Sequence, residues 1–239
     1  MNKPADHPNI FLEIIATSVA DAEAAERGGA QRIELISRFD LGGLTPPFEL
    51  VREVMKSVRL PVRVMLRESE DFEVRDESER VRLCAIAGEL AAMAIDGLVC
   101  GFLRNEEIDE SLLARVLASA PNLRVTFHRA FEQLRDPIAA IHQLKRYAQV
   151  DRILTSGNGV TPVQSIAQRI DQLAACEQAA RPEIAILAGG GMDVATVKQI
   201  RRQTGIAEFH VGRGVRRPAT VDGAVDPALV AKWRDYLVV

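Results

Sequence analysis

The chain has 239 residues, 47% hydrophobic and 26% charged, with a formal net charge of −3. That length gives one large domain or two small ones, with enough apolar surface for a core that needs no disulfide or metal staple. The slight negative charge and the dispersed arginines, paired only at places such as Arg201-Arg202 and Arg216-Arg217, exclude the basic footprint of a nucleic-acid-binding protein.

The first nine residues are polar and lack the apolar run of a secretory signal. From residue 10 onward, apolar runs of strand length alternate with longer segments of helical period. Strands are expected at residues 10–15, 32–36, 62–66, 97–100, 124–127, 152–154, 184–187 and 208–211. Helices are expected to begin near Val19, Phe48, Glu77, Glu110, Pro137, Pro162, Val194 and Pro227. Ser18, Thr45, Asp136, Thr161, Asp193 and Asp226 have the chemistry of helix N-caps, and Pro46, Pro137, Pro162 and Pro227 suit a first helical turn. The most apolar stretch, residues 90–103, is interrupted by Asp96 and too short to span a bilayer. Residues 213–226 read as a loop before a last helix at about 227–237.

Strands that are apolar throughout, rather than alternating, indicate a parallel sheet covered on both faces. Eight strand–helix units at about 28 residues each, an ordinary βα length, point to an α/β TIM (β/α)8 barrel. The barrel core would run from about residue 10 to 211, in a single domain covering residues 1–239. A doubly wound open sheet is the alternative, but it wants a glycine-rich turn after its first strand, where Ile15-Ala16-Thr17 stands.

A barrel of this kind builds its site at the C-terminal ends of its strands. Those ends carry Glu13, Glu34, Arg67, Cys100, His128 with Arg129, Ser156-Gly157, Gly189-Gly190-Gly191 and His210, followed by Arg213. Glu13 and Glu34 sit inside apolar runs, where a carboxylate must be paired or coordinated. They are either ion-pair partners of Arg32, Arg63 or Arg67, or functional groups. His210 reads equally as a packed core histidine, and Cys100 as a small buried apolar side chain. The glycine runs after the seventh and eighth strands suit backbone contacts to phosphate, to which Arg213 adds a charge; they also suit plain tight turns. The five lysines, Lys3, Lys56, Lys145, Lys198 and Lys232, avoid the strand ends, which argues against Schiff-base chemistry. No G-x-S-x-G elbow is present. Cys84, Cys100 and Cys176 are far apart and form no C-x-x-C, which points to a reducing, cytoplasmic setting.

Several stretches, "LEI" with Ser18, "GGAQRIEL", "GGLTPP", "VRVMLRE", "VTFHRAF", "ILTSG" and "ILAGGGM", occur in the order and spacing of the CutC family, named for copper homeostasis. The sequence resembles that family over residues 10–211. The resemblance implies a TIM barrel, a cytoplasmic homo-oligomer and a role in copper binding or tolerance, with no established reaction. Many members carry a Cys-Cys pair after the first-strand glutamate and a cysteine after the second-strand "EL". Here Ile15, Ala16 and Ile36 occupy those positions, and Cu(I) prefers thiolates. Two expectations follow. One is a copper-homeostasis protein, holding Cu(II) or another divalent ion through Glu13, Glu34, His128, His210 or Cys100. The other is an isomerase- or lyase-type enzyme acting on a small anionic or phosphorylated molecule. In it Glu13 or Glu34 would move the proton with His128 as partner, Arg67 and Arg129 would hold the anion, and the glycine loops would take a phosphate.

Overall fold

The computed structural model describes residues 10–159 and 165–238. Eight parallel strands form the wall: β1 (Phe11–Ala16), β2 (Arg32–Leu35), β3 (Val62–Met65), β4 (Gly97–Cys100), β5 (Arg124–Phe127), β6 (Val150–Thr155), β7 (Ala185–Ala188) and β8 (Glu208–Val211). Each pairs with its neighbour in sequence, and β8 returns to pair with β1, closing the barrel. The helices are α1 (Val19–Arg27), α2 (Phe48–Ser57), α3 (Glu77–Ala91), α4 (Glu110–Ser119), α5 (Pro137–Leu144), α6 (Ile166–Ala180), α7 (Val194–Thr204) and α8 (Pro227–Val238). None among the described residues is long and apolar enough to cross a membrane.

Strand side chains alternate between two environments, as the pleat requires. Leu12, Ile14, Ile33, Leu35, Val62, Val64, Leu98, Val125, Phe127, Ile153, Ile186 and Phe209 join the helix faces in the large core. The inward set is different in kind. Ile15, Ile36, Met65 and Val99 form a small apolar plug. Below it the barrel is filled by charge. Arg63 donates to Asp151 at 2.7 and 2.8 Å, to Asp96 at 2.9 Å and to Thr126 at 2.7 Å, and Arg152 pairs with Glu208 at 2.6 Å. Such groups survive burial because each finds an opposite charge with satisfied hydrogen bonds.

The helix starts follow their caps. Ser18, Asp136, Asp193 and Asp226 each accept a first-turn backbone N–H, as their residue types predict. Thr45 is a correction. It does not cap α2, which starts after Pro47, so Pro46 also lies outside the first turn. The Thr45 hydroxyl is instead turned to the backbone of Arg67, accepting from its N–H at 2.8 Å and donating to its carbonyl at 3.0 Å. Thr161 and Pro162 lie outside the described residues; α6 begins at Ile166 behind a Ser165–Gln168 capping box. The expected loop at 213–226 contains a two-stranded ribbon, in which Arg216–Arg217 pairs antiparallel with Ala224–Val225. Buried Arg216 fastens it to Asp21 at the start of α1 and to the carbonyl of Ile15, at 2.8 and 3.0 Å.

Candidate functional site

The strand ends open into a cavity of about 410 Å³. Beneath it lies a four-residue polar cluster, of which Glu34 and His210 line the cavity while Glu13 and Arg32 do not. Glu13 faces both Arg32 and His210 in the strand registers. Its Oε2 accepts from Arg32 Nε at 2.5 Å, and its Oε1 lies 2.7 Å from His210 Nδ1. His210 Nε2 lies 3.6 Å from Glu34 Oε2. All four side chains are buried. Glu34 Oε1 and Arg32 Nη2 have no hydrogen-bond partner among the described residues.

The electrostatics follow from this chain of contacts. Burial works against the charged form of Glu13, but Arg32 and His210 outweigh it and hold its carboxyl well below the usual range. Glu34 has no such support. Burial, reinforced by the charge of Glu13 and opposed by His210, pushes it up to about 7. Burial disfavours the His210 imidazolium, yet Glu34 and Glu13 together raise its pKa. The reading of Glu13 as an ion-pair partner of Arg32 therefore describes its contacts; Arg63 and Arg67 are engaged elsewhere. Glu34 lines the cavity, with His210 between it and Glu13.

The rim carries the cations. Arg67 follows β3, its guanidinium carbon 4.5 Å from the centre of the Phe72 ring, and its Nε is buried without a partner among the described residues. Phe72 also meets His128, ring centres 5.0 Å apart and tilted by 57°. Arg129 opens a short 3-10 turn, Arg129–Gln133, and is held by Glu132 at 2.6 and 3.0 Å. Glu132 also accepts from the N–H of Ser156 at 2.6 Å. The third cation is Arg213, exposed on the loop after β8.

Glu34, Arg67, His128, Arg129, Gly190, Gly191, His210 and Arg213 all line this one cavity. Ser156, Gly157 and Gly189 do not. Ser156 and Gly157 are turned into the support beneath Glu132 and Thr155, and a side chain at Gly189 would meet Leu154 at 2.8 Å. Gly190 and Gly191 hold φ values of +92° and +67°, a backbone only glycine adopts freely. Neither gives its N–H to an acceptor among the described residues. Gly212 and Gly214, of the glycine run expected after the eighth strand, also line the cavity, whereas residue-type reasoning missed Glu132, Phe39 and Phe72 of the wall. Glu132 alone had a signal, a carboxylate three positions after Arg129 on a turn.

Cys100 packs with the outer, helix-facing core and does not line the cavity. Burial pushes its thiol up to about 12. Ile15 and Ile36 belong to the apolar plug. Among the described residues, no three His, Cys, Asp or Glu side chains are grouped to hold a metal ion. Both oxygens of Glu13 are already engaged. The donor set fits neither a thiolate Cu(I) site nor a closed divalent site.

Comparison with known proteins adds the lineage. A profile described as the CutC family matches residues 10–215. A "family protein CutC" of Xanthomonas axonopodis pv. citri is 34% identical, over 85% of this chain and 84% of its own. The human "Copper homeostasis protein cutC homolog" is 35% identical, over 84% and 72%. The crystal structure of the putative copper homeostasis protein CutC from Streptococcus agalactiae superposes with a TM-score of 0.78 at 26% identity, covering 85% of this chain and 98% of that one. A phosphoribosylanthranilate isomerase from Pyrococcus furiosus, at 13% identity and a TM-score of 0.57, shares the fold.

Proposed function

Because the chain belongs to the CutC family, we propose that it shares the copper-homeostasis role named for its mouse and human relatives, and that it serves that role through a site for a small anionic metabolite rather than by carrying copper on thiolates. The observation that carries this reading is Glu34. The residue lines the cavity, its Oε1 is sealed without a partner among the described residues, its Oε2 lies 3.6 Å from His210 Nε2, and its pKa is about 7. A carboxyl that exchanges its proton near neutrality suits general acid–base work. Around it stand Arg67, Arg129 and Arg213 and the N–H groups of Gly190 and Gly191, which have no acceptor among the described residues, a donor set that suits an anion, including a phosphate. An isomerase- or lyase-type reaction without a Schiff base uses these groups. Glu34 moves the proton, His210 and Glu13 set its charge, and the rim holds the anionic end.

The test is a pair of titrations on untagged protein. Inorganic phosphate or a sugar phosphate should raise the melting temperature, and Arg67→Ala should abolish the rise. Cu(I), titrated against a competing chelator, should bind no more tightly than to Cys100→Ser. Sub-micromolar Cu(I) binding lost in Cys100→Ser, with no response to phosphates, would overturn the reading.

A further inference from the structure

His128 has a feature that acid–base work does not require: its ring is clamped with the proton assigned to one nitrogen. Its Nδ1 accepts the N–H of Ala130 at 3.3 Å, so Nδ1 carries a lone pair and, in the neutral ring, Nε2 carries the hydrogen. The backbone N–H of His128 donates to the carbonyl of Cys100 at 3.0 Å. Gly101 leaves room for the imidazole, since a side chain there would meet Nδ1 at 2.7 Å and Cε1 at 2.9 Å. Phe72 covers another side, with Phe127 edge-on at 6.4 Å. His128 Nε2 has no partner among the described residues and is not among the sealed unpartnered atoms, so it opens on the cavity that the residue lines.

We infer that His128 is a catalytic residue acting as a fixed, uncharged Nε2–H donor to a carbonyl oxygen, and that the ligand is therefore a compound with a carbonyl group, an acidic hydrogen on the adjacent carbon and an anionic tail. This rests on the anionic-site reading above. Burial, followed by the nearby charges of Arg67 and Arg129, brings the ring down to about 3, in keeping with a neutral donor. In the step, the Glu34 carboxylate takes the proton from the carbon next to the carbonyl. The C–H electron pair becomes a C=C bond, and the carbonyl π pair moves onto oxygen. The resulting enolate oxygen accepts the Nε2–H of His128. When Glu34 returns the proton to that carbon, the C=C π pair forms the new C–H bond and the oxygen pair re-forms the carbonyl, which balances the step as proton exchange with no co-reactant. A neutral imidazole held in one tautomer strengthens its hydrogen bond as charge develops on the oxygen.

The experiment is nitrogen-15 NMR of the intact chain from pH 5.5 to 8. The His128 ring signals are assigned by their loss in His128→Gln, and 2-phosphoglycolate serves as an enolate-shaped anionic probe. The expected result is an Nε2–H tautomer that does not titrate in that range and whose N–H proton moves downfield when the probe binds. A ring that titrates, an Nδ1–H tautomer, or a bound probe that leaves the His128 signal unmoved overturns the inference while leaving the anionic site standing. A probe that fails to bind at all, by calorimetry on the same sample, overturns both.

Discussion

His210 Nδ1 lies 2.7 Å from Glu13 Oε1, across the seam where the last strand returns to the first. The contact closes the barrel and also sets the charge of its floor, because Glu13 simultaneously holds Arg32 at 2.5 Å. Removing the Glu13 charge leaves two buried cationic groups without their shared anion. Glu13→Gln should therefore lower stability by ~3–5 kcal/mol, the range for breaking a buried pair from one side. Glu13→Gln with Arg32→Met should recover much of that loss. Urea unfolding of the two variants decides it; a single variant within about 1 kcal/mol of the parent would show that the pair does not hold the seam.

The same cluster makes stability depend on pH with a definite sign. Glu34 is raised from 4.5 unfolded to about 7 folded. Between those values the folded chain keeps a proton that the unfolded chain has released, so stability falls as pH rises through that window. The raised His210 acts in the same direction. Its contribution is complete below its ordinary 6.5 and fades as pH rises through its folded value. Glu13, lowered, contributes fully throughout this range. The melting temperature should thus be higher at pH 6 than at pH 8, and Glu34→Gln should flatten part of that slope. A parent that melts higher at pH 8 would contradict the Glu34 assignment.

Glu132 joins two parts of the rim, the guanidinium of Arg129 and the N–H of Ser156. Glu132→Gln keeps an acceptor for Ser156 but loses the charge that aims Arg129. Half of the Arg129 side chain is exposed, so the pair is partly screened. Phosphate binding should weaken by roughly 1 kcal/mol, up to about tenfold, with little change in melting temperature. Calorimetry with inorganic phosphate on parent and variant measures it. Unchanged affinity would mean that Arg129 does not meet the anion.

Cys100 is fully buried in the helix-facing core. Cys100→Ala should cost about 1 kcal/mol, the scale of one lost buried group and its small cavity, and should leave both Cu(I) and phosphate titrations as they are. A change in either ligand's affinity would place the thiol in the site.

Sequence pattern reached most of the scaffold because burial dictates it. The strands 97–100, 124–127 and 208–211 match in both ends, marked by their helix-facing apolar residues, although Arg124, Thr126, Glu208 and His210 alternate with these in two of them. Thr45 shows the limit. A threonine before two prolines looks like a cap, but its hydroxyl was claimed by the distant backbone of Arg67, a tertiary contact with no local signature. The ribbon at Arg216–Arg217 escaped notice for the same reason, being fixed by Asp21 across the whole chain. At the site, the strand-end rule found Glu34, His128 and His210. It could not find Phe72, which sits in a loop where no period applies, nor tell that Cys100 points outward, because the pleat phase of a four-residue strand is set by its neighbours.

The closing contact between Glu13 and His210 spans 197 positions of sequence. A ribosome releases Glu13 long before its second partner exists, and Asp21 likewise waits for Arg216. Until the last strand and the ribbon emerge, the nascent barrel is an open sheet with a half-neutralised acid at its edge. The growing chain gains its final stability in one late event, so truncation anywhere before Arg216 should produce a species for chaperones and proteases rather than a smaller working protein.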